Sequence, residues 1–230
     1  MAQPCPVQDG LWFGAAYVKQ YDWAWLCRYQ AENRAAASLP APEAVFIGDS
    51  ITEGWLKGEP SFFSPARLDR GISGQTSPQM LLRFQQDVIA LRPRVVHIMA
   101  GTNDIGGNTG PTSAAAYQNN IRAMIDMAQA SRVAVVLASI PPAAKFYWRP
   151  ALQPAAQVRD LNGWLRDFAR TRGLVYADYY TALTNANGGM RAEFSGDGVH
   201  PNAAGYAAMR PIAERALQQA LRQAGRRRRN

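Results

Sequence analysis

Two kinds of apolar pattern alternate along the 230-residue chain. The first is a short run that is apolar almost without a break. Val45-Phe46-Ile47, Val95 to Met99, Val133 to Leu137 and Leu174 to Ala177 are of this kind and read as buried strands. Ala66-Arg67-Leu68-Asp69-Arg70-Gly71 reads as a fifth strand, more polar and hence near a sheet edge. The second pattern has helical spacing. Leu81, Phe84, Val88 and Leu91 form one such stripe, started by Ser77-Pro78 and stopped by Pro93. Tyr117, Ile121, Met124, Ile125 and Ala128 form another after Thr112-Ser113, and Val158, Leu161, Leu165 and Phe168 form a third ended by Gly173. A short helix follows Ser50 through Glu53 and Trp55, and the last helix spans about Asn202 to Gln223 with Pro211 inside it. Strand and helix thus alternate. The prediction is a three-layer α/β/α sandwich around a central, five-stranded parallel sheet of flavodoxin-like type.

Length adds that one domain suffices, with a full core. No repeat, composition break or apolar run near the ~20 residues of a membrane span interrupts it. Residues 1–43 are expected to form an N-terminal arm, 44–223 the main domain and 224–230 a basic tail. Within the arm, Asp22 is expected to cap a helix running through Gln30 whose aromatic residues pack it onto the domain. Met1-Ala2-Gln3-Pro4 carries no signal pattern. It fits either a mature exported start with an added methionine or a native one, which leaves secreted, periplasmic and cytoplasmic locations open. Cys5 and Cys27 are the only cysteines. Two free thiols are the simple expectation, and a disulfide stapling the arm is the alternative. The net charge is +8, and Arg226 to Arg229 contribute four of those charges. Four arginines at one end carry no nucleic-acid-binding motif, so no nucleic-acid partner is expected.

Candidate chemistry begins at Gly48-Asp49-Ser50, where an apolar strand runs into a turn with a serine at its tip. Asp49 and Ser50 also suit a helix cap, so the turn alone does not decide. A serine needs a base to become a nucleophile, and the chain holds two histidines. His97 lies inside an apolar strand, as a core histidine would. His200 lies in the polar loop Ser195-Gly196-Asp197-Gly198-Val199-His200-Pro201, three residues after Asp197, a carboxylate able to fix its tautomer. Acyl transfer also needs donors for a negative oxygen. Gly74 offers a backbone N–H in a glycine-containing turn, and Asn103 in Gly101-Thr102-Asn103-Asp104 offers an amide. Ile105 to Gly110 looks like a flexible loop able to cradle a phosphate, yet it lacks the ending of a P-loop. Phe146, Tyr147 and Trp148, in the long loop after the fourth strand, are equally suited to a substrate wall and to plain packing.

These four stretches, in this order, resemble the four blocks of the SGNH, or GDSL, hydrolase family. Gly48-Asp49-Ser50 is similar to the nucleophile block, Gly74 to the glycine of the second and Gly101 to Asp104 to the asparagine block. Asp197 to Pro201 is similar to the Asp-x-x-His block, and Ile51 stands where the older label expects leucine. The resemblance spans roughly residues 44 to 222. It implies ester hydrolysis through Ser50, His200 and Asp197, without metal or cofactor. It further implies oxyanion donors from the Ser50 N–H, the Gly74 N–H and the Asn103 amide.

The leading expectation is therefore a serine esterase acting on small-molecule carboxylic esters of short to medium acyl chain. A carbohydrate acetylesterase is the next, then a thioesterase or lysophospholipase. A ligand-binding protein of the same fold without turnover is the expectation from a different class.

Overall fold

The computed structural model describes Cys5 and residues 20–227. Five strands, β1 Ala44–Gly48, β2 Arg67–Gly71, β3 Val95–Met99, β4 Ala134–Ala138 and β5 Val175–Ala177, form one sheet. They pair in the order β2-β1-β3-β4-β5, every pair parallel. Alternate residues face opposite layers, as a pleated strand requires. Val45, Ile47, Val96, Ile98, Val135 and Leu137 point into one core. Helices α3 (Ser77–Asp87), α5 (Ala114–Ala130) and α6 (Ala155–Thr171) close that core. Ala44, Phe46, Met99, Val136 and Ala138 point into the other, closed by α2 (Ser50–Gly58), α7 (Tyr179–Leu183) and α8 (Ala203–Arg227).

The strand order places a switch at β1. The chain leaves β1 toward β2 on one side and returns to β3 on the other, so a crevice opens at the carboxyl ends of these strands. Ser50 begins α2 directly after β1, and Asn103 lies in the short helix α4 (Thr102–Gly106) after β3. Gly48 ends β1 where a Cβ would stand 2.8 Å from the Met99 carbonyl oxygen and 2.0 Å from Thr52 Oγ1. Only glycine lets the turn into α2 close this tightly.

The helices that the spacing predicts are present, with instructive differences at their ends. The helix of the Leu81 stripe starts at Ser77, so its cap is Thr76, reciprocally bonded with Gln79, rather than Ser77. The last helix runs through Pro211 and on to Arg227, beyond the expected stop at Gln223. Residues 228–230, with Arg228 and Arg229 of the basic run, lie outside the described residues.

The arm departs further. No helix starts at Asp22; residues 22–28 form turns, and α1 spans Gln30–Ala37. The Asp22 carboxylate does take two backbone N–H groups, Leu26 at 2.7 Å and Cys27 at 3.0 Å. Trp25 in a left-handed conformation (φ 52°) then breaks the helical path. Cys27 is joined to Cys5 in a disulfide with 5.6 Å between their Cα atoms, which corrects the expectation of free thiols. Among the described residues, no helix is long and apolar enough to cross a membrane.

Candidate active site

Ser50 Oγ lies 2.9 Å from His200 Nε2, and His200 Nδ1 lies 2.7 Å from Asp197 Oδ2. The three residues come from opposite ends of the chain and are brought into one line. Burial alone would raise the Asp197 pKa. Hydrogen bonds from the His200 side chain and from the His200 and Val199 backbone outweigh that and bring it down to about 2. Asp197 is then an acceptor only, so Nδ1 carries the proton and Nε2 is left to accept from the serine hydroxyl. This is the tautomer a general base needs.

The loop that holds Asp197 and His200 is braced mainly by its own atoms. Asp197 Oδ1 accepts the backbone N–H groups of Val199 (2.9 Å) and His200 (2.8 Å). Ser195 Oγ donates to the His200 carbonyl at 2.7 Å and accepts the Gly198 N–H at 2.9 Å. Val199 is buried with Ala143 and Phe146, beside Ile105, Trp148 and Leu152. This small satellite core joins the His200 loop to the loop after β4 and to α4. Sequence reasoning missed Ser195; its only signal is its place at the head of the glycine-rich loop.

His97 sits apart from this line. It is fully buried in β3, stacked on Phe46 at 4.6 Å, with Nε2 2.8 Å from the Tyr179 hydroxyl. Burial pulls its pKa down to about 3, so it is a neutral core imidazole at neutral pH.

Gly74 occupies a turn at φ +78°, with open space where a Cβ would stand, and no acceptor among the described residues takes its N–H. Asn103 bridges this turn and the nucleophile turn. Its Nδ2 donates to the Gln75 carbonyl at 3.0 Å and, more weakly, to Asp49 Oδ2 at 3.3 Å. Both amide hydrogens therefore have protein acceptors. An oxyanion would have to displace or share the longer one. Asp49 is 2 % exposed, and burial raises its pKa to about 6, although the Ile51 N–H it caps acts the other way. Asp104 is also buried with a raised pKa; it accepts the Ser77 N–H and hydroxyl and so pins the start of α3 to α4.

Asn108 lies in the stretch expected to be a flexible, phosphate-cradling loop. Instead Gly107 caps α4, and Asn108 turns back onto the site. Its Nδ2 donates to Asn103 Oδ1 at 2.7 Å, and its Oδ1 accepts the Trp148 Nε1–H at 2.9 Å. The three loop aromatics differ in burial. Phe146 is buried, with Trp148 stacked on it at 4.6 Å. Tyr147 is 65 % exposed with its ring 6.5 Å from that of His200. Among the described residues no group of three His, Cys, Asp or Glu side chains is placed to hold a metal ion.

Comparison with known proteins agrees in fold and family. No curated protein matches the chain in sequence. A GDSL-like lipase of Bacteroides thetaiotaomicron VPI-5482 is 38% identical, with TM-score 0.81, over 86% of this chain and 99% of its own. A Bacteroides fragilis protein assigned as an acylhydrolase is 40% identical, with TM-score 0.82, over 87% and 99%. An acetylxylan esterase of Geobacillus stearothermophilus shares the fold at 20% identity and TM-score 0.59, over 76% and 93%. The family model for the GDSL-like lipase/acylhydrolases matches residues 46–208, from the middle of β1 to the first turns of α8. The chain belongs to the GDSL-like lipase/acylhydrolase family.

Proposed function

We propose that this acylhydrolase cleaves carboxylic esters of short to medium acyl chain through an acyl-enzyme on Ser50. The observation that carries the reading is the hydrogen-bonded line Ser50–His200–Asp197 in the tautomer described above. Ser50 Oγ attacks the ester carbonyl carbon while its proton passes to His200 Nε2. The tetrahedral intermediate collapses, the carbon–oxygen bond to the alcohol breaks, and the imidazolium returns that proton to the leaving alkoxide. Water then attacks the acyl-enzyme, giving its proton to Nε2, and the acid leaves as Ser50 is reprotonated. The Ser50 and Gly74 N–H groups and the Asn103 amide are the donors for the oxyanion in both steps. No step uses a metal, so activity should withstand EDTA.

A carbohydrate acetylester is the second reading, and Tyr147 favours it. An exposed aromatic ring beside the base is a surface on which a sugar ring can stack. The test is a panel of nitrophenyl esters of rising acyl length together with acetylated xylo-oligosaccharides. Covalent labelling by a fluorophosphonate, mapped by mass spectrometry, accompanies it. Label on Ser50 with turnover of some ester supports the reading. Label elsewhere, or none and no turnover across the panel, overturns it.

A further inference from the structure

The residue after Gly74 is tied to more of the molecule than a turn residue requires. Gln75 is 3 % exposed, and all its polar groups are used. Its N–H donates to the Ile72 carbonyl at 3.2 Å, closing the turn that carries Gly74. Its carbonyl accepts the Asn103 amide at 3.0 Å. Its side-chain Oε1 accepts Arg83 Nε at 2.6 Å, and its Nε2 donates to the Ala24 carbonyl at 2.8 Å.

Arg83 extends the network. It is fully buried, paired with Asp87 at 3.1 Å, and donates to the Gly48 carbonyl at 3.0 Å, two residues before Ser50. Burial depresses its pKa, and Asp87 acts against that. A buried guanidinium tolerates little loss of its partners, so this network has one arrangement rather than many. Its outer end is the arm. The turn at 22–27 is closed by Asp22 and stapled by the Cys5–Cys27 disulfide. Three glutamine amides reach its carbonyls: Gln75 to Ala24, Gln79 to Trp23 at 2.6 Å and Gln86 to Leu26. Of the three, only Gln75 also contacts Asn103, and Gln86 belongs solely to the arm and the far end of α3.

We propose that Gln75 is a positioning residue through which the disulfide-stapled turn at 22–27 holds the Gly74 N–H and the Asn103 amide in place for the oxyanion. The arm up to Val45 lies outside the stretch that the family model matches, yet on this view it completes the active site. The proposal rests on the esterase reading for its kinetic consequence but not for its structural one.

Gln75→Met, which keeps the size and removes both side-chain bonds, is the test, with Gln86→Ala as the control that removes one bond to the arm at the far end of α3 and leaves the Gln75–Ala24 bond and the disulfide intact. Displacing donors by an ångström costs on the order of 10²-fold, so kcat in Gln75→Met should fall roughly 10- to 100-fold with KM nearly unchanged. Hydrogen exchange across residues 72–76 should quicken in the same variant. Gln86→Ala should change neither quantity. The exchange readout stands even if no ester is turned over, which separates failure of this proposal from failure of the esterase reading. If Gln75→Met does not fold, the double variant Cys5→Ser, Cys27→Ser takes its place. It should then lower kcat and quicken exchange at both 22–27 and 72–76. The proposal is overturned if either variant is folded with unchanged kcat and protected residues 72–76. It is equally overturned if Gln86→Ala lowers kcat as much as Gln75→Met.

Discussion

The turns after β1, β2 and β3 and the loop at 195–200 meet at Ser50 and His200 but are held by opposite physics. The polar side chains that brace the turns are buried, although Ser73 and Gly74 at the tip after β2 are exposed. Asp49, Gln75, Asn103 and Asp104 are each less than a tenth exposed, and each has a partner more than 25 residues away. The loop is half open, with the His200 and Asp197 side chains 31% and 37% exposed, and apart from the His200–Ser50 contact its bracing bonds stay within six residues. Electrostatics follow the same division. Burial pushes the Asp49 carboxyl up, while donated hydrogen bonds pull Asp197 down despite its partial burial. The contrast fits the two tasks proposed for these regions. Donors for a transient charge gain most from a dry, fixed setting. A base that exchanges its proton with alcohol and water needs access and an ionised partner.

The largest effect should come where the two regions touch. Ser50→Ala and His200→Ala should each lower kcat by roughly 10⁴–10⁶-fold while melting near wild type, because neither side chain fills the core. His97→Ala should do the reverse, leaving turnover in the folded fraction and lowering the melting temperature. Steady-state kinetics and thermal melts on the three variants decide it. A folded, inactive His97→Ala beside an active His200→Ala would exchange the roles of the two histidines.

Next in size is Asn103, on the buried side. Losing one oxyanion donor typically costs about 10²–10³-fold in kcat. Asn103→Ala should fall in that range. Asn103→Asp should be at least as damaging, because a second carboxylate would stand 3.3 Å or so from Asp49 and beside the developing charge. KM should move less, since the ground-state ester carries little charge. Wild-type kcat in Asn103→Asp would make Asn103 a turn former and leave the oxyanion to backbone groups.

Smaller again is Asn108→Ala. It removes one hydrogen bond that orients Asn103 and leaves the Trp148 N–H without its partner. A net bond is worth about 1 kcal/mol, so kcat should drop roughly five- to tenfold. An unchanged kcat would mean that Asn103 is held by Gln75 and Asp49 alone.

How much of this the chain discloses in advance depends on distance along it. The strands and main helices were legible because burial there follows local periods. The Ser50, His200 and Asp197 positions were legible because each side chain stands in a telling local context. Gln75, Arg83 and Asp87 were not. They are polar residues on or beside a helix, which local pattern assigns to solvent, and they are buried only because partners at Ala24, Gly48 and Asn33 complete them. The arm misled for the same reason. Asp22 is a good cap, but the carbonyls that a helix would consume are taken by Gln79 and Gln86 of α3 and by Gln75 in the turn before it. Asn108 hid in a glycine-rich stretch whose composition suggests mobility.

The electrostatic side of the comparison is open to a test by stability rather than turnover. Asp69 ends the buried set at the edge strand. Its Oδ1 accepts the Gly71 N–H at 2.7 Å, and its Oδ2 is buried with no partner among the described residues. Burial raises its pKa from 3.8 to about 7, and that of Asp49 to about 6. Between 3.8 and those values the folded state binds more protons than the unfolded chain, so both groups favour folding in acid and the advantage is lost as pH rises through about 6 and 7. Asp197 has the opposite sign: its contribution is present above 3.8 and is lost as pH falls toward about 2. Self-repulsion in a chain of net charge +8 also grows in acid and would blur a single melting curve. The difference between wild type and Asp69→Asn removes that common background. Asparagine keeps the acceptor for Gly71 and cannot ionise; any cost of its own amide is the same at every pH. Relative to wild type, Asp69→Asn should therefore look best at pH 7.5 and lose ground steadily toward pH 4.5. Each unit inside the window is worth at most about 1.4 kcal/mol, which in a chain of this size is roughly 2–4 °C of melting temperature per kcal/mol. A difference that stays flat across that range would mean that Asp69 is already ionised at pH 4.5 and that the buried turns are wetter than their side chains suggest.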